Sequence, residues 1–243
     1  MKLKPAFMVD LPGARVAFST RQGGVSEGAY ESANLGILTD DEPERVEQNR
    51  RRLASHLALD PERIAMGWQV HGTDIATWDA PPPAGQGGFA APGAELDEVD
   101  GHTTSVPGLG LPVLVADCLP VALAGGGRVA MLHCGWRGLA GGLIEKGVAL
   151  FDDPPAAAIG PGVGRCCYEV GPEVLEAFSD HPAATTGWSL DLSAVAAAKL
   201  RRAGVHRVEH TNLCTSCHPE LFFSHRRDRG VTGRQAGLAW LTQ

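Results

Sequence analysis

The stretch Ala116-Asp117-Cys118-Leu119-Pro120-Val121-Ala122-Leu123-Ala124-Gly125-Gly126-Gly127-Arg128-Val129-Ala130-Met131-Leu132-His133-Cys134-Gly135-Trp136-Arg137-Gly138 holds two short apolar runs around a glycine triplet. Residues 120–124 and 128–132 have the length and the Val/Ala content of strands, and Gly125 to Gly127 supplies a turn, so the segment predicts an antiparallel hairpin. With the turn centred near Gly126, Cys118 falls opposite Cys134; a shift of one residue, which turn type decides, sets it opposite His133. Opposed residues have Cβ atoms about 5 Å apart. A thiolate and an imidazole at that separation can share a metal ion or act as nucleophile and base. The plainer alternative is a half-buried thiol beside a hydrogen-bonded core histidine.

Working outward, residues 110–116 read as a buried strand that delivers Asp117 and Cys118. On the other side, Leu139, Leu143, Val148 and Leu150 recur with helical spacing over 138–150, which puts Trp136-Arg137-Gly138 at a helix start. Backbone amides there, together with Arg137, favour an anion; the other use of Arg137 is an ion pair with an acid such as Asp117. Residues 64–70 and 73–78 read as strands flanking His71-Gly72, with Gln69 close by. The Pro/Gly-rich residues 80–93 predict a long exposed loop, a lid or a mobile segment.

Gly13 to Thr20 reads as the first strand. The glycine-rich run Arg21 to Ser26 can bring amides to a ligand but lacks the Lys and Ser/Thr of a P-loop, which favours a plain turn. A structural helix is expected over 44–57, a strand and turn over 157–164, and a short helix over 172–178. A helix over 194–203, capped by Asp191 or Ser193, leads to a strand at 206–209. A helical turn at 220–226 and a closing strand at 237–241 complete the chain. Cys166-Cys167 reads as packing. Cys214-Thr215-Ser216-Cys217-His218 has the form of a c-type haem attachment motif, which needs an exported protein. Buried thiols are the preferred reading there, ahead of a second zinc site.

A chain of 243 residues suffices for one large or two small domains. Hydrophobic residues at 44% and charged residues at 20% describe a soluble globule, and 31 Gly with 17 Pro require many turns. A net charge of -7 argues against nonspecific nucleic-acid binding; the basic runs Arg50–Arg52 and His225–Arg229 read as solvated faces. With no apolar leader and no run long enough to span a membrane, the expected location is cytoplasmic and the six cysteines are expected to be thiols.

Thr20-Arg21-Gln22-Gly23-Gly24-Val25-Ser26, Asn34-Leu35-Gly36, Trp68-Gln69-Val70-His71-Gly72-Thr73-Asp74, Asp100-Gly101, Ala116-Asp117-Cys118, His133-Cys134-Gly135-Trp136-Arg137-Gly138, Cys167-Tyr168-Glu169-Val170 and Thr232-Gly233-Arg234 together resemble the YfiH-type family. These are laccase-domain proteins, also described as polyphenol oxidases and purine nucleoside phosphorylases. The likeness runs nearly end to end; the loop at 80–93 and the Ala-rich run Ala194 to Ala198 depart from it.

The resemblance implies an α+β fold, a single domain built on a mixed β-sandwich flanked by helices. It implies a zinc ion on His71, Cys118 and His133, an open-sided ligand set of the catalytic kind. The implied activities are phosphorolysis of purine nucleosides, methylthioadenosine included, and deamination of adenosine. The partners are then purine nucleosides and phosphate, for a monomer or small homo-oligomer. Cys118, His133 and Asp117 become the catalytic candidates, and Arg21, Gln69 and Arg137 the substrate- and phosphate-binding ones. Asp117 and Asp100 are the first candidates to protonate the leaving base. Rival expectations are a Cys118–His133 amide hydrolase editing peptidoglycan precursors, a copper polyphenol oxidase, and a structural zinc or interaction module with Cys134 as fourth ligand. Copper is less expected, because the chain lacks repeated His-x-His pairs.

Overall fold

A computed structural model describes residues 5–83, 88–89 and 96–242. The chain starts with a hairpin, β1 (Ala6–Leu11) and β2 (Ala14–Ser19), turned at Pro12-Gly13 with Leu11 opposite Ala14. The expected first strand is therefore the second. Helix α1 (Pro43–His56) follows, with Pro at its first position and Val46, Leu53 and Ala54 buried. Residues 64–70, expected as a strand, make only isolated bridges of Ile64 to Gly110, Ala65 to Gly88 and Trp68 to Glu98. Their amides reach loop carbonyls, such as Trp68 to Asp97, instead of one continuous ladder.

Then come β3 (Ile75–Trp78), β4 (Gly101–Thr104), β5 (Leu111–Val115), β6 (Leu119–Gly125) and β7 (Arg128–Cys134). The single helix expected over 138–150 is two, α2 (Trp136–Ala140) and α3 (Leu143–Val148), because Gly142 at φ +89 breaks the α-helical path. The chain continues through β8 (Ala156–Ile159), α4 (Pro172–Ala177), the two-residue strands β9 (Thr185–Thr186) and β10 (Ser189–Leu190), and α5 (Leu192–Arg202). Asp191 caps α5, accepting from the Ala194 amide at 3.0 Å. Strands β11 (Val208–His210) and β12 (Gln235–Leu241) end the fold, and the expected helical turn at 220–226 is a run of hydrogen-bonded turns.

Two sheets stack. One has the order β1-β2-β12-β5, the other β11-β8-β6-β7-β4-β3. Pairing is antiparallel except for β3 with β4 and β8 with β11, so the sandwich is mixed. Alternation along β6 and β7 assigns each face its layer. Ala122, Ala124, Val129 and Met131 point to the other sheet, where Val16, Phe18, Val113 and Ala239 meet them. Val121, Leu123, Ala130 and Leu132 point outward under Leu139, Leu143, Val195 and Leu200 of α2, α3 and α5. On the far side, Ala17, Leu238 and Trp240 are covered by Leu53 and Leu57 at the end of α1. Each fully buried Val, Leu or Phe contributes about 1.5–3 kcal/mol, and a one-residue slip of β6 would exchange two entire packing faces.

Most of the expected 80–93 loop lies outside the described residues. Of its described part, Ala80 and Pro83 are exposed as expected, whereas Gly88 and Phe89 are buried, and the carbonyls of these two accept from Arg50 Nη1 at 2.8 and 3.1 Å. Arg50 also donates to the Leu35 carbonyl, and burial lowers its guanidinium to about 10. The Arg50–Arg52 run is thus not a solvated face throughout. Among the described residues no helix is long and apolar enough to cross a membrane.

Candidate metal centre and active site

Gly126 and Gly127 take φ +55 and +73, a two-residue hairpin turn that puts Gly125 opposite Arg128, Pro120 opposite His133 and Leu119 opposite Cys134. Cys118, extrapolated along this register, lies beside Gly135, opposite neither of the two residues expected. It shares a face with Pro120 and His133, so it meets His133 on the diagonal. Cys134 points to the other face, fully buried under the helices, where burial pushes its thiol up. It is therefore not a fourth ligand.

The span 116–118 leaves β5 in one sheet and enters β6 in the other. Asp117 turns that corner with φ +90, a backbone conformation unusual for a non-glycine residue. Its carboxylate accepts from Thr215 Oγ1 at 2.6 Å and from the Arg226 amide at 2.7 Å, and its carbonyl accepts from the Val163 amide at 2.8 Å.

His71 sits at φ +62 in the turn before β3. Asp100, wholly buried at the start of β4, fixes that turn by accepting from the amides of Val70, His71 and Gly72 at 3.1, 2.9 and 2.6 Å. The same carboxylate lies 2.7 Å from His133 Nδ1. Burial pushes the Asp100 carboxyl up, but the bonds from His133 and the Gly72 and Val70 amides outweigh it and hold it below the usual range. An ionised Asp100 only accepts, so Nδ1 of His133 carries the proton and Nε2 is free to face the centre.

The ligand atoms of His71, Cys118 and His133 lie within 4.8 Å of one another, and the two rings are 4.9 Å apart at 64°. A Cβ at Gly135 would come within 3.1 Å of both Cys118 Sγ and His71 Cδ2, so the bare backbone there leaves the space in which sulfur and ring meet. Burial opposes charge on the thiol and on the His133 ring. Their mutual attraction, with His71 helping the thiolate and Asp100 the imidazolium, wins and moves Cys118 down to about 6 and His133 up to about 9. One thiolate and two imidazoles with nothing else on the centre fit a borderline-soft divalent ion with an open position.

A cleft of about 510 Å³ opens over this trio, a size suited to a small organic ligand. Asp117, Gln69 and Arg137 line it, as do Trp68, Trp136, Tyr168, His225, Arg226 and Arg234. Gln69 holds β5, its Nε2 donating to the Leu114 carbonyl at 2.8 Å and its Oε1 accepting from the Leu114 amide at 2.7 Å. Its amide thus shapes the wall. Arg137 is exposed, stacks over the Trp136 ring at 4.5 Å and has no carboxylate partner among the described residues. The alternative pairing with Asp117 does not form, because Asp117 is bonded elsewhere.

Two expected site residues lie off the cleft lining. Arg21 donates to the carbonyls of Glu31 and Pro219 and lies over the Phe223 ring, which commits its guanidinium to tying loops together. Asp100 is sealed behind the histidines and held ionised, so it is no acid for a leaving group. Conversely, the His225–Arg229 run, exposed at His225, Arg226 and Arg229 as expected, is more than a solvated face: His225 and Arg226 line the cleft, and Arg227 donates to the Thr215 and Phe222 carbonyls and pairs with Asp228. Tyr168 belongs to a motif of the resemblance but carries no role in the expected site. Burial, reinforced by Cys118, raises its phenol to about 12 and keeps it neutral under the Arg226 guanidinium.

Of the other four thiols, Cys167 packs against the core as expected, but the group is not simply buried packing. Cys166 and Cys217 are exposed, Cys167 and Cys214 half-buried, and all four sulfurs gather in one group.

A family model described as multi-copper polyphenol oxidoreductase laccase matches residues 15–242. A purine nucleoside phosphorylase of Streptomyces coelicolor is 42% identical over 243 aligned residues, covering 94% of this chain and 96% of the relative. The purine nucleoside phosphorylase YfiH of Escherichia coli is 36% identical, covering 94% of each chain. Among solved structures, YlmD from Geobacillus stearothermophilus superposes with a TM-score of 0.88 at 35% identity, covering 96% of this chain and 93% of that one. The Bacillus licheniformis hypothetical protein YfiH does so with a TM-score of 0.87 at 32% identity, covering 94% and 92%.

Proposed function

The chain belongs to the multi-copper polyphenol oxidoreductase laccase family, the YfiH-type proteins, and from that membership we propose that it is a zinc-dependent purine nucleoside phosphorylase. In this reading it also accepts methylthioadenosine and deaminates adenosine, as one cytoplasmic catalytic domain. The observation that carries the reading is the convergence of His71, Cys118 and His133 beneath a nucleoside-sized cleft with an unpaired arginine on its wall.

Zinc, when bound, supplies positive charge and lowers the pKa of a coordinated water from 15.7 to about 7. The chain's residues do the rest. Asp100 holds His133 and the His71 turn so that both imidazoles meet Cys118. The rings of Trp68, Trp136 and Tyr168 offer flat faces to a purine. Arg137 has the charge and the planar donors to orient phosphate. A phosphate oxygen bonds to the ribose carbon as the glycosidic C–N bond breaks; its electrons leave with the purine, which takes up a proton. Asp117 lines the cleft and is the carboxylate that would pass this proton in this reading, with Thr215 and the Arg226 amide fixing its direction.

The test is to incubate metal-assayed protein with inosine, adenosine or methylthioadenosine and phosphate. Free base and the sugar 1-phosphate should appear, chelation should abolish turnover and zinc should restore it. Full activity in metal-free protein refutes the zinc assignment. A second reading draws on the Asp100–His133–Cys118 line, which has the nucleophile, base and orienting acid of an amide hydrolase, for instance one editing peptidoglycan precursors. An acyl adduct trapped on Cys118 in metal-free protein would select it. Copper oxidation of phenols would show as turnover only after copper loading.

A further inference from the structure

Beside the cleft, the chain brings two turns together whose cysteines are not part of its lining. Residues 162–167 and 213–217 are linked by a parallel bridge of Gly162 to Cys214, and the Thr215 amide donates to the Gly162 carbonyl at 2.9 Å. One turn carries Cys166-Cys167 and the other Cys214-x-x-Cys217, the short spacing in which both cysteines of a turn can face one ion. The four sulfurs lie within 4.8 Å of one another; Cys217 Sγ is 3.5 Å from that of Cys166 and 3.4 Å from that of Cys167.

These separations choose between two chemistries. A disulfide needs sulfurs about 2.05 Å apart. A tetrahedron of thiolates at about 2.3 Å from zinc has edges of about 3.8 Å. Contacts of 3.4 and 3.5 Å exclude the first and, though shorter than that edge, leave the four sulfurs within reach of one ion. Two further features build the site. The Gly164 amide donates to Cys214 Sγ at 3.2 Å, support of the kind that ligating sulfurs receive. A Cβ at Gly164 would sit 3.3 Å from Cys166 Sγ and 3.4 Å from Cys214 Sγ, so this glycine leaves the room the four sulfurs occupy.

We infer that Cys166, Cys167, Cys214 and Cys217 bind a second, structural zinc ion as a closed tetrathiolate site, independent of whatever occupies the His71–Cys118–His133 centre. The site clasps two turns that have no strand pairing beyond the single bridge. It also reaches the cleft by one step: Thr215, inside the Cys214–Cys217 turn, donates to Asp117, the neighbour of Cys118. The clasp thereby positions Asp117 without touching substrate.

The experiment uses the full chain purified under reducing conditions, with zinc alone as the probe. A His71→Ala/Cys118→Ser variant should retain one zinc equivalent, and its cobalt-substituted form should show tetrahedral bands with strong thiolate-to-metal charge transfer. Adding Cys166→Ser and Cys217→Ser should remove that equivalent. Because these variants can fail to fold, the wild-type chain is also alkylated and mapped by peptide mass. Zinc should shield Cys166 and Cys217, which are otherwise exposed, and a chelator should lift the shielding. Unshielded alkylation in zinc-loaded protein, or intact masses showing disulfides among the four in freshly purified protein, overturns the inference.

Discussion

Replacing Asp100 by Asn keeps the side chain's shape and removes its charge and one acceptor. In the wild type, Oδ1 accepts from the His71 amide and His133 Nδ1, and Oδ2 accepts from the Val70 and Gly72 amides. An asparagine with its NH₂ in place of Oδ2 would face two amide donors. With NH₂ in place of Oδ1 it faces the His71 amide and a ring nitrogen that can switch tautomer. The second orientation costs less, leaving one buried donor unpaired at about 1–3 kcal/mol. The further loss of charge on the remaining bonds brings the expected destabilisation to about 2–5 kcal/mol. The tautomer switch matters more: it moves the His133 proton to Nε2, the nitrogen that must offer its lone pair to the metal. Zinc affinity should fall about 10–100-fold, with kcat/KM falling alongside it. Competition with a chromophoric chelator measures the affinity, phosphate-dependent release of purine measures turnover, and thermal denaturation measures stability. Wild-type zinc affinity and turnover in a folded Asp100→Asn protein would refute the claim that this carboxylate sets the ligand geometry.

Arg137→Ala should raise KM for phosphate about 10–100-fold, the equivalent of losing one charged hydrogen bond of about 1.5–3 kcal/mol, and leave the melting temperature unchanged, since Arg137 is exposed and bonded to no carboxylate among the described residues. Gly135→Ala places a methyl group 3.1 Å from Cys118 Sγ and His71 Cδ2; it should cost about 1–3 kcal/mol and weaken metal binding with all three ligands present, read by the same competition assay. In metal-free protein the depressed Cys118 pKa means that its thiolate contributes stability above the unfolded value near 8.5 and loses that contribution as pH falls through about 6. The raised His133 pKa works in the opposite sense, its contribution being complete below about 6.5 and lost as pH rises through about 9. Alkylation of Cys118 should therefore stay fast down to about pH 6, and a profile falling off near pH 8.5 would contradict the pairing.

The central hairpin was legible because three glycines between two Val/Ala runs admit little else. Its register was not, because any of those glycines can take positive φ and only the fold selects Gly126 and Gly127. Strand β1 was missed because it is a partly exposed edge strand carrying Asp10. Strand β4 was missed because Gly101, His102, Thr103 and Thr104 are all buried yet show no apolar alternation; their hydroxyls bond the Val129 and Trp78 carbonyls. The trio of His71, Cys118 and His133 was reached by resemblance, with only the last two suggested by spacing. Asp100 gave no signal as their organiser, since its partners are distant in sequence and meet it only through sheet topology. Arg21 was a candidate by resemblance alone, while its run read from the residues as a plain turn, and the loop carbonyls of Glu31 and Pro219 that hold it agree with that reading.

The corner at Asp117-Cys118 ties the Cys118 sulfur to two β layers at once. Metal chelates tolerate donor displacements of only about 0.2 Å, whereas sandwich cores routinely absorb changes in side-chain volume by small shifts of one layer over the other. Here a shift of the other layer reaches the trio only through β5 and this corner, because β6, β7 and β3, beside Cys118, His133 and His71, share one sheet. A change in the packing of β5, at Val113 for instance, is therefore transmitted to Cys118 along the backbone of the corner, while the histidines keep their places in the second sheet.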